Sequence, residues 1–230
     1  GGIAFDTGTS AGRSILAVTN GATLSLYGTV ASNAEHPFDL SVTAQGNLII
    51  PDSRTLQFGT DAATASGDYK LSVDNATITG GSGTTLKTFG RADISASTVT
   101  VATLTPSANR LTLSSGATAT CATVDLAHDV TVVVDGGTLT ASDTLRTGYS
   151  GSGATLVLTN GGKVVYSKSN GNINIAQGAA ASGTLLVQGG SFSPVDGSGT
   201  TARPICLGPN GGTGLATVEL TSGEIVLGNR

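Results

Sequence analysis

Tryptophan and methionine are absent from this 230-residue sequence, and aromatic residues of all kinds make up only 4% of it. A stacked aromatic platform for sugars is therefore hard to assemble. A core has to be built from Val, Ile, Leu and Ala, which suits narrow repeated layers better than one large globular centre. Charge is scarce too: Asp, Glu, Lys and Arg together reach 11%, against roughly 25% in an average soluble domain. Lys and Arg are scattered singly, so no basic stripe exists to follow a phosphate backbone, and nucleic acid is not an expected partner. No run approaches the ~18 consecutive apolar residues of a membrane-spanning helix, and no charged-then-apolar leader opens the chain. The sequence begins inside a pattern at Gly1-Gly2 and stops at Arg230 without an evident cap. It is expected to be one domain, residues 1–230, of a longer chain.

In place of charge the surface has 34 glycines and runs of Thr, Ser and Asn. Gly/Ser richness is also a mark of disorder, but β-branched residues recur in short alternating blocks along the whole chain, which a disordered tract would not need. Those blocks share one form: apolar-x-apolar, a turn rich in Gly, Asn and Asp, then a further apolar residue. Nine copies start at Leu16, Leu40, Leu71, Ala92, Leu111, Val132, Leu156, Leu185 and Val218. A second element precedes several of them: Ile3-Ala-Phe5, Leu56-Gln-Phe58-Gly59, Leu145-Arg-Thr-Gly148, Ile175-Ala-Gln-Gly178 and Ile205-Cys-Leu207-Gly208.

Each block reads as a short strand with alternate residues facing one way, followed by a turn whose residues accept positive φ. One such unit cannot bury its own apolar face, whereas stacked units can. The expected fold is all-β, a right-handed parallel β-helix (β-solenoid) of about nine irregular coils, with loop insertions at one corner after Gly59, Gly148, Gly178 and Gly208. An antiparallel sandwich also uses many short strands with turn signals, but it does not require the same turn at the same place nine times. Cys121 and Cys206 fall in coils three or four layers apart. At ~4.8 Å per layer that exceeds the ~7 Å reach of a disulfide, and two free, buried thiols are expected.

Blocks such as Gly153-Ala-Thr-Leu-Val-Leu-Thr-Asn-Gly-Gly162 and Ser182-Gly-Thr-Leu-Leu-Val-Gln-Gly-Gly190 resemble the repeats of autotransporter passengers and related giant bacterial surface proteins. The resemblance covers essentially the whole chain. It implies a right-handed parallel β-helix, export across the envelope to an extracellular or cell-surface location, and a role in adhesion, in a cell-surface layer or in display of another domain, although the same coils serve adhesins, lyases and inert stalks alike. The expected function is a structural or adhesive shaft without catalysis, with glycan or a host or matrix surface as the expected partner. Neither a C-terminal membrane barrel nor a serine-protease module is present in the sequence. Open solenoid ends also invite end-to-end self-association.

Chemistry is hard to find. The densest ionisable groups are Arg110, Asp125, His128, Asp129, Asp143 and Arg146, and then Glu35, His36, Asp39, Asp52 and Arg54. An enzyme acting on polysaccharide would use paired carboxylates or an acidic Ca²⁺ site with a basic partner, and Asp125, His128 and Asp129 are the residues such a reading would use. The Asn-Thr-Asp, Asp-Asp and His-Gly signals of β-helical glycoside hydrolases are missing, so the plainer reading takes these residues as solvated loop charges. No metal is expected: two His and two Cys, widely separated, make no zinc pattern, and Asp135-Gly-Gly and Asp196-Gly-Ser-Gly lack the surrounding calcium-binding nonapeptide. Their Asp residues are read as bonding the backbone of their own turn. No cofactor is implied.

One pattern stands apart. Thr-x-Thr recurs as Thr77-Ile-Thr79, Thr98-Val-Thr100, Thr118-Ala-Thr120 and Thr138-Leu-Thr140, at steps of 21, 20 and 20 residues. With Ile78, Val99, Ala119 and Leu139 inward, the eight threonines form a flat outward ladder. Such a ladder resembles the face of solenoid ice-binding proteins. The competing explanation is that Thr favours strands and stacks well on itself between them.

Overall fold

The computed structural model describes residues 14–32, 38–59, 69–149, 153–167, 173–177, 181–194, 205–208 and 214–226. Every strand pairing among them is parallel, and the pairings build three ladders that wind around one interior.

Sheet A takes the nine repeat starts in order. Leu16 pairs with Leu40, Leu40 with Leu71, Leu71 with Ala92 and Ala92 with Leu111. The column then runs through Val132, Leu156 and Leu185 to Val218. Sheet B stacks Leu24, Leu48, Ile78, Val99, Ala119, Leu139, Val164, Phe192 and Ile225. Sheet C has eight layers, with Val30, Leu56, Leu86, Leu104, Val124, Leu145, Ile173 and Ile205 in one column. The described residues thus form nine layers of a parallel β-solenoid.

Alternation along each strand fills the interior. Phe38–Thr43, for example, points Phe38, Leu40 and Val42 inward and leaves Asp39, Ser41 and Thr43 half-buried. The core is one continuous aliphatic cluster, closed near one end by Phe38 edge-on to Phe58 at 5.8 Å. Farther along, the buried Tyr166 donates its hydroxyl to the Asp143 carbonyl at 2.8 Å. The last layer has no layer above it among the described residues: Val218 and Leu220 remain 36% and 51% exposed on the core column.

The corner between sheets A and B is held by left-handed residues on layer after layer: Asn20 and Gly21, Asn75, Gly116, Gly136, Asn160 and Gly161, Gly189 and Gly223. Ala44, Gln45 and Ala96 adopt the same positive φ without being Gly or Asn. Gly162 is needed there for a different reason: a Cβ would lie 1.9 Å from the Val134 carbonyl oxygen of the layer below.

Three expectations need correction. Ile175-Ala-Gln-Gly178 is out of step by two residues: Ile173, not Ile175, stacks on Leu145. Ala176, with φ 61°, takes the turn position that Gly148 and Gly208 occupy on the neighbouring layers, so the glycine that marks the turn elsewhere is absent here. Cys206 is only half-buried, because it faces outward between Ile205 and Leu207 at the end of sheet C, whereas Cys121 is buried. Length variation falls at two corners, since residues 168–172 and 195–204 lie between sheets B and C, and residues 33–37, 60–68, 150–152, 178–180 and 209–213 between C and A. The first Ile3-Ala-Phe5 element, Asp196, Glu35 and His36 lie outside the described residues.

Candidate functional site

The described ionisable residues singled out from the sequence are spread along sheets A and C and the corners beside them, and three of them, Asp39, Asp125 and Asp129, bond to the layer above. Asp125 accepts from Arg146 of the next coil, Nε to Oδ1 at 2.5 Å and Nη2 to Oδ2 at 2.6 Å. This bond is the main reason the Arg146 guanidinium is held above its ordinary pKa, against an opposing effect of burial. The same guanidinium stacks on the Tyr149 ring at 3.6 Å.

Asp129 Oδ1 accepts the Gly153 backbone N–H at 2.5 Å, and Asp39 Oδ1 accepts that of Lys70 at 2.9 Å. Asp74 accepts the Ser95 hydroxyl at 2.6 Å, and Asp135 the Asn160 amide at 2.6 Å. Asp135 therefore bonds the neighbouring coil and not its own turn, a correction to the local-turn reading. Five of the eight described aspartates tie one layer to the next.

His128 and Asp129 both have positive φ, 53° and 60°, at the tight turn from sheet C to sheet A, and both are exposed. Asp125 lies on sheet C and Asp129 past that turn, with Asp125 occupied by Arg146. A shallow groove beside the turn has Asp129 as its one ionisable lining residue among those described. Arg110 Nε donates to Thr112 Oγ1 at 3.1 Å, and Asp143 Oδ2 accepts from Thr144 at 3.3 Å. Asp52 and Arg54 are exposed on the turn between sheets B and C. Among the described residues no group of three or more His, Cys, Asp or Glu has the arrangement to hold a metal ion. No described helix is long and apolar enough to cross a membrane.

The threonine ladder is one geometric unit. Thr77, Thr98, Thr118 and Thr138 form one outward row of sheet B, and Thr79, Thr100, Thr120 and Thr140 the other. Ile78, Val99, Ala119 and Leu139 point inward and are fully buried. Thr23 and Ser25, and Ser191 and Ser193, sit on the same rows farther out, separated from the ladder by Asn47 and Ile49 on one side and Lys163 and Val165 on the other.

A second threonine row, on sheet C, is not apparent from the sequence: Thr55, Thr85, Thr103, Thr123 and Thr144 stack in register. Its signal is hidden because the steps between successive members are uneven. The row beside it is mixed, running through Gln57, Lys87, Thr105, Asp125, Arg146 and Asn174. Compared with protein families, curated proteins and solved structures, the chain matches none.

Proposed function

We propose that this chain is a non-catalytic structural or adhesive shaft of an extracellular bacterial surface protein. The observation that carries the reading is the use made of its carboxylates: Asp39, Asp74, Asp125, Asp129 and Asp135 each hold the layer above. A polar group spent on stacking rigidifies a rod and is not free to move protons. The resemblance of the coil repeats to autotransporter passengers supports the surface location, and the charge-poor outer faces suit contact with glycan or a host or matrix surface.

The rival function is cleavage of polysaccharide, which would draw on Asp125, His128 and Asp129. Incubating the protein with acidic and neutral polysaccharides and assaying reducing ends and unsaturated uronides distinguishes the two. The shaft reading expects no release above a heat-denatured control. Release that disappears in Asp129→Asn or Asp125→Asn would overturn it.

A further inference from the structure

The eight-threonine array on sheet B differs from the rest of the described surface in regularity, composition and access. It runs through four layers with unbroken register, and the one register shift on these strands falls beyond it, between Cys121 and Thr123. Backbone geometry sets its spacings at about 4.8 Å between layers and about 6.6–7 Å between the two threonines of a pair. All eight positions are Thr, and none of the eight hydroxyls bonds another described protein group.

On the four layers of the array the described flanks are short. Towards sheet A the corners take only a few residues. Towards sheet C, Thr98–Pro106, Thr118–Leu126 and Thr138–Thr147 run from one sheet into the other as continuous strands. On the first layer of the array the same corner is the short turn of residues 81–84. The sheet C threonine row, by contrast, borders Lys87, Asp125 and Arg146, and Thr144 is bonded to Asp143.

An array of identical groups at fixed spacings on a rigid frame complements a surface that is itself periodic. Each threonine presents a hydroxyl that can join a water lattice and a methyl around which waters form a cage. Because the β-ladders hold the rows, little ordering entropy is lost on contact. The groups displayed select among crystals. Crystalline polysaccharide is gripped by stacked aromatics, of which the eight positions have none, and mineral faces are gripped by charge, which is also missing here. We infer that the array Thr77, Thr79, Thr98, Thr100, Thr118, Thr120, Thr138 and Thr140 binds the surface of ice. This goes beyond the shaft reading and does not rest on it.

The test is thermal hysteresis and inhibition of ice recrystallisation by the purified chain. The wild type is expected to arrest seed crystals below the melting point. Thr98→Lys and Thr118→Lys, at the centre of the array, are expected to reduce hysteresis by about tenfold or more. Thr103→Lys and Thr123→Lys on sheet C serve as controls with the same chemistry on the neighbouring face, and should retain it. Circular dichroism and urea midpoints show that each variant is folded, and Thr98→Val with Thr118→Ser provides a milder pair should the lysines disturb the sheet. The inference is overturned if the wild type shows neither effect, or if folded sheet C variants lose as much as sheet B variants. It is equally overturned if the chain instead adsorbs to crystalline cellulose or chitin in a Thr98-dependent manner.

Discussion

Asp125 and Arg146 occupy the same outward position of sheet C on adjacent layers, and two hydrogen bonds of 2.5 and 2.6 Å join carboxylate to guanidinium. Their side chains are 14% and 21% exposed, so the pair is shielded without being fully dry. Arg146→Ala removes the partner of a half-desolvated carboxylate and the stack on Tyr149, and should cost about 1–3 kcal/mol. That lies below the loss expected for one member of a fully buried pair. Removing both charges in Asp125→Ala/Arg146→Ala should cost less than the sum of the single changes, because neither is then left unpaired. Chemical denaturation of the four proteins measures the coupling; additive losses would show that the pair contributes nothing as a pair.

Cys121 gives a pH dependence with a defined sign. Burial pushes its thiol from an ordinary value of 9.0 up to about 12, so the folded chain keeps the proton while the unfolded chain releases it. The resulting stabilisation is complete below about pH 9 and is lost as pH rises from there towards 12. Between pH 8 and 11 the stability of wild type relative to Cys121→Ala should fall by about 2–3 kcal/mol. The comparison cancels the other groups that titrate in this range. Thiol reagents give a second reading: in the native protein the half-buried Cys206 should label and Cys121 should not, with both labelling in denaturant. Native labelling of both would contradict the buried placement of Cys121.

Sheets A and B were largely legible because their apolar-x-apolar blocks and the A–B corner have nearly constant length. Leu71, Leu111 and Leu156 start blocks of the same form, and Ile78, Val99, Ala119 and Leu139 lie at nearly fixed distances along the chain. Sheet C was only partly legible, since residues inserted on either side shift its members unevenly. Ile173 lacks a marker in the sequence because Ala176, and not a glycine, makes the turn that follows its strand. The partner of Asp125 could not be read at all: a bond to Arg146 depends on layer register, and nothing in the spacing of charged residues distinguishes it from two solvated loop charges. The Thr-x-Thr rows were visible because no insertion interrupts their layers.

The A–B corner predicts opposite outcomes for two small substitutions. Ala96 carries a positive φ of 47°, a conformation that costs an L-residue about 1–2 kcal/mol, while glycine brings an entropic penalty of about 0.5–1 kcal/mol. Ala96→Gly should therefore stabilise by about 0.5–1 kcal/mol. Gly162→Ala would place a Cβ 1.9 Å from the Val134 carbonyl oxygen and 3.0 Å from that of Thr159. Backbone on two layers would have to move, and the loss should be about 2 kcal/mol or more. Thermal midpoints of the two variants should move in opposite directions, and a tolerated Gly162→Ala would mean that the corner is looser than the layer spacing requires.

Thr88 and Thr147 point into the interior of sheet C, 2% and 0% exposed, and neither hydroxyl has a hydrogen-bond partner among the described residues. The inward positions that pair with them are Phe58 and Pro106 for Thr88, and Leu126 and Ile175 for Thr147, so the surroundings are apolar. Valine has nearly the same shape as threonine and nothing to satisfy. Removing an unpaired buried hydroxyl recovers part of its desolvation cost, and Thr88→Val and Thr147→Val should each stabilise by about 1 kcal/mol. Three layers, about 14 Å, separate the two sites, and they share no partner, so the double variant should gain the sum. Urea midpoints with unchanged slope would establish the effect. A loss of stability in either variant would show that the hydroxyl is bonded inside the solenoid, and the site would then have to hold a buried water.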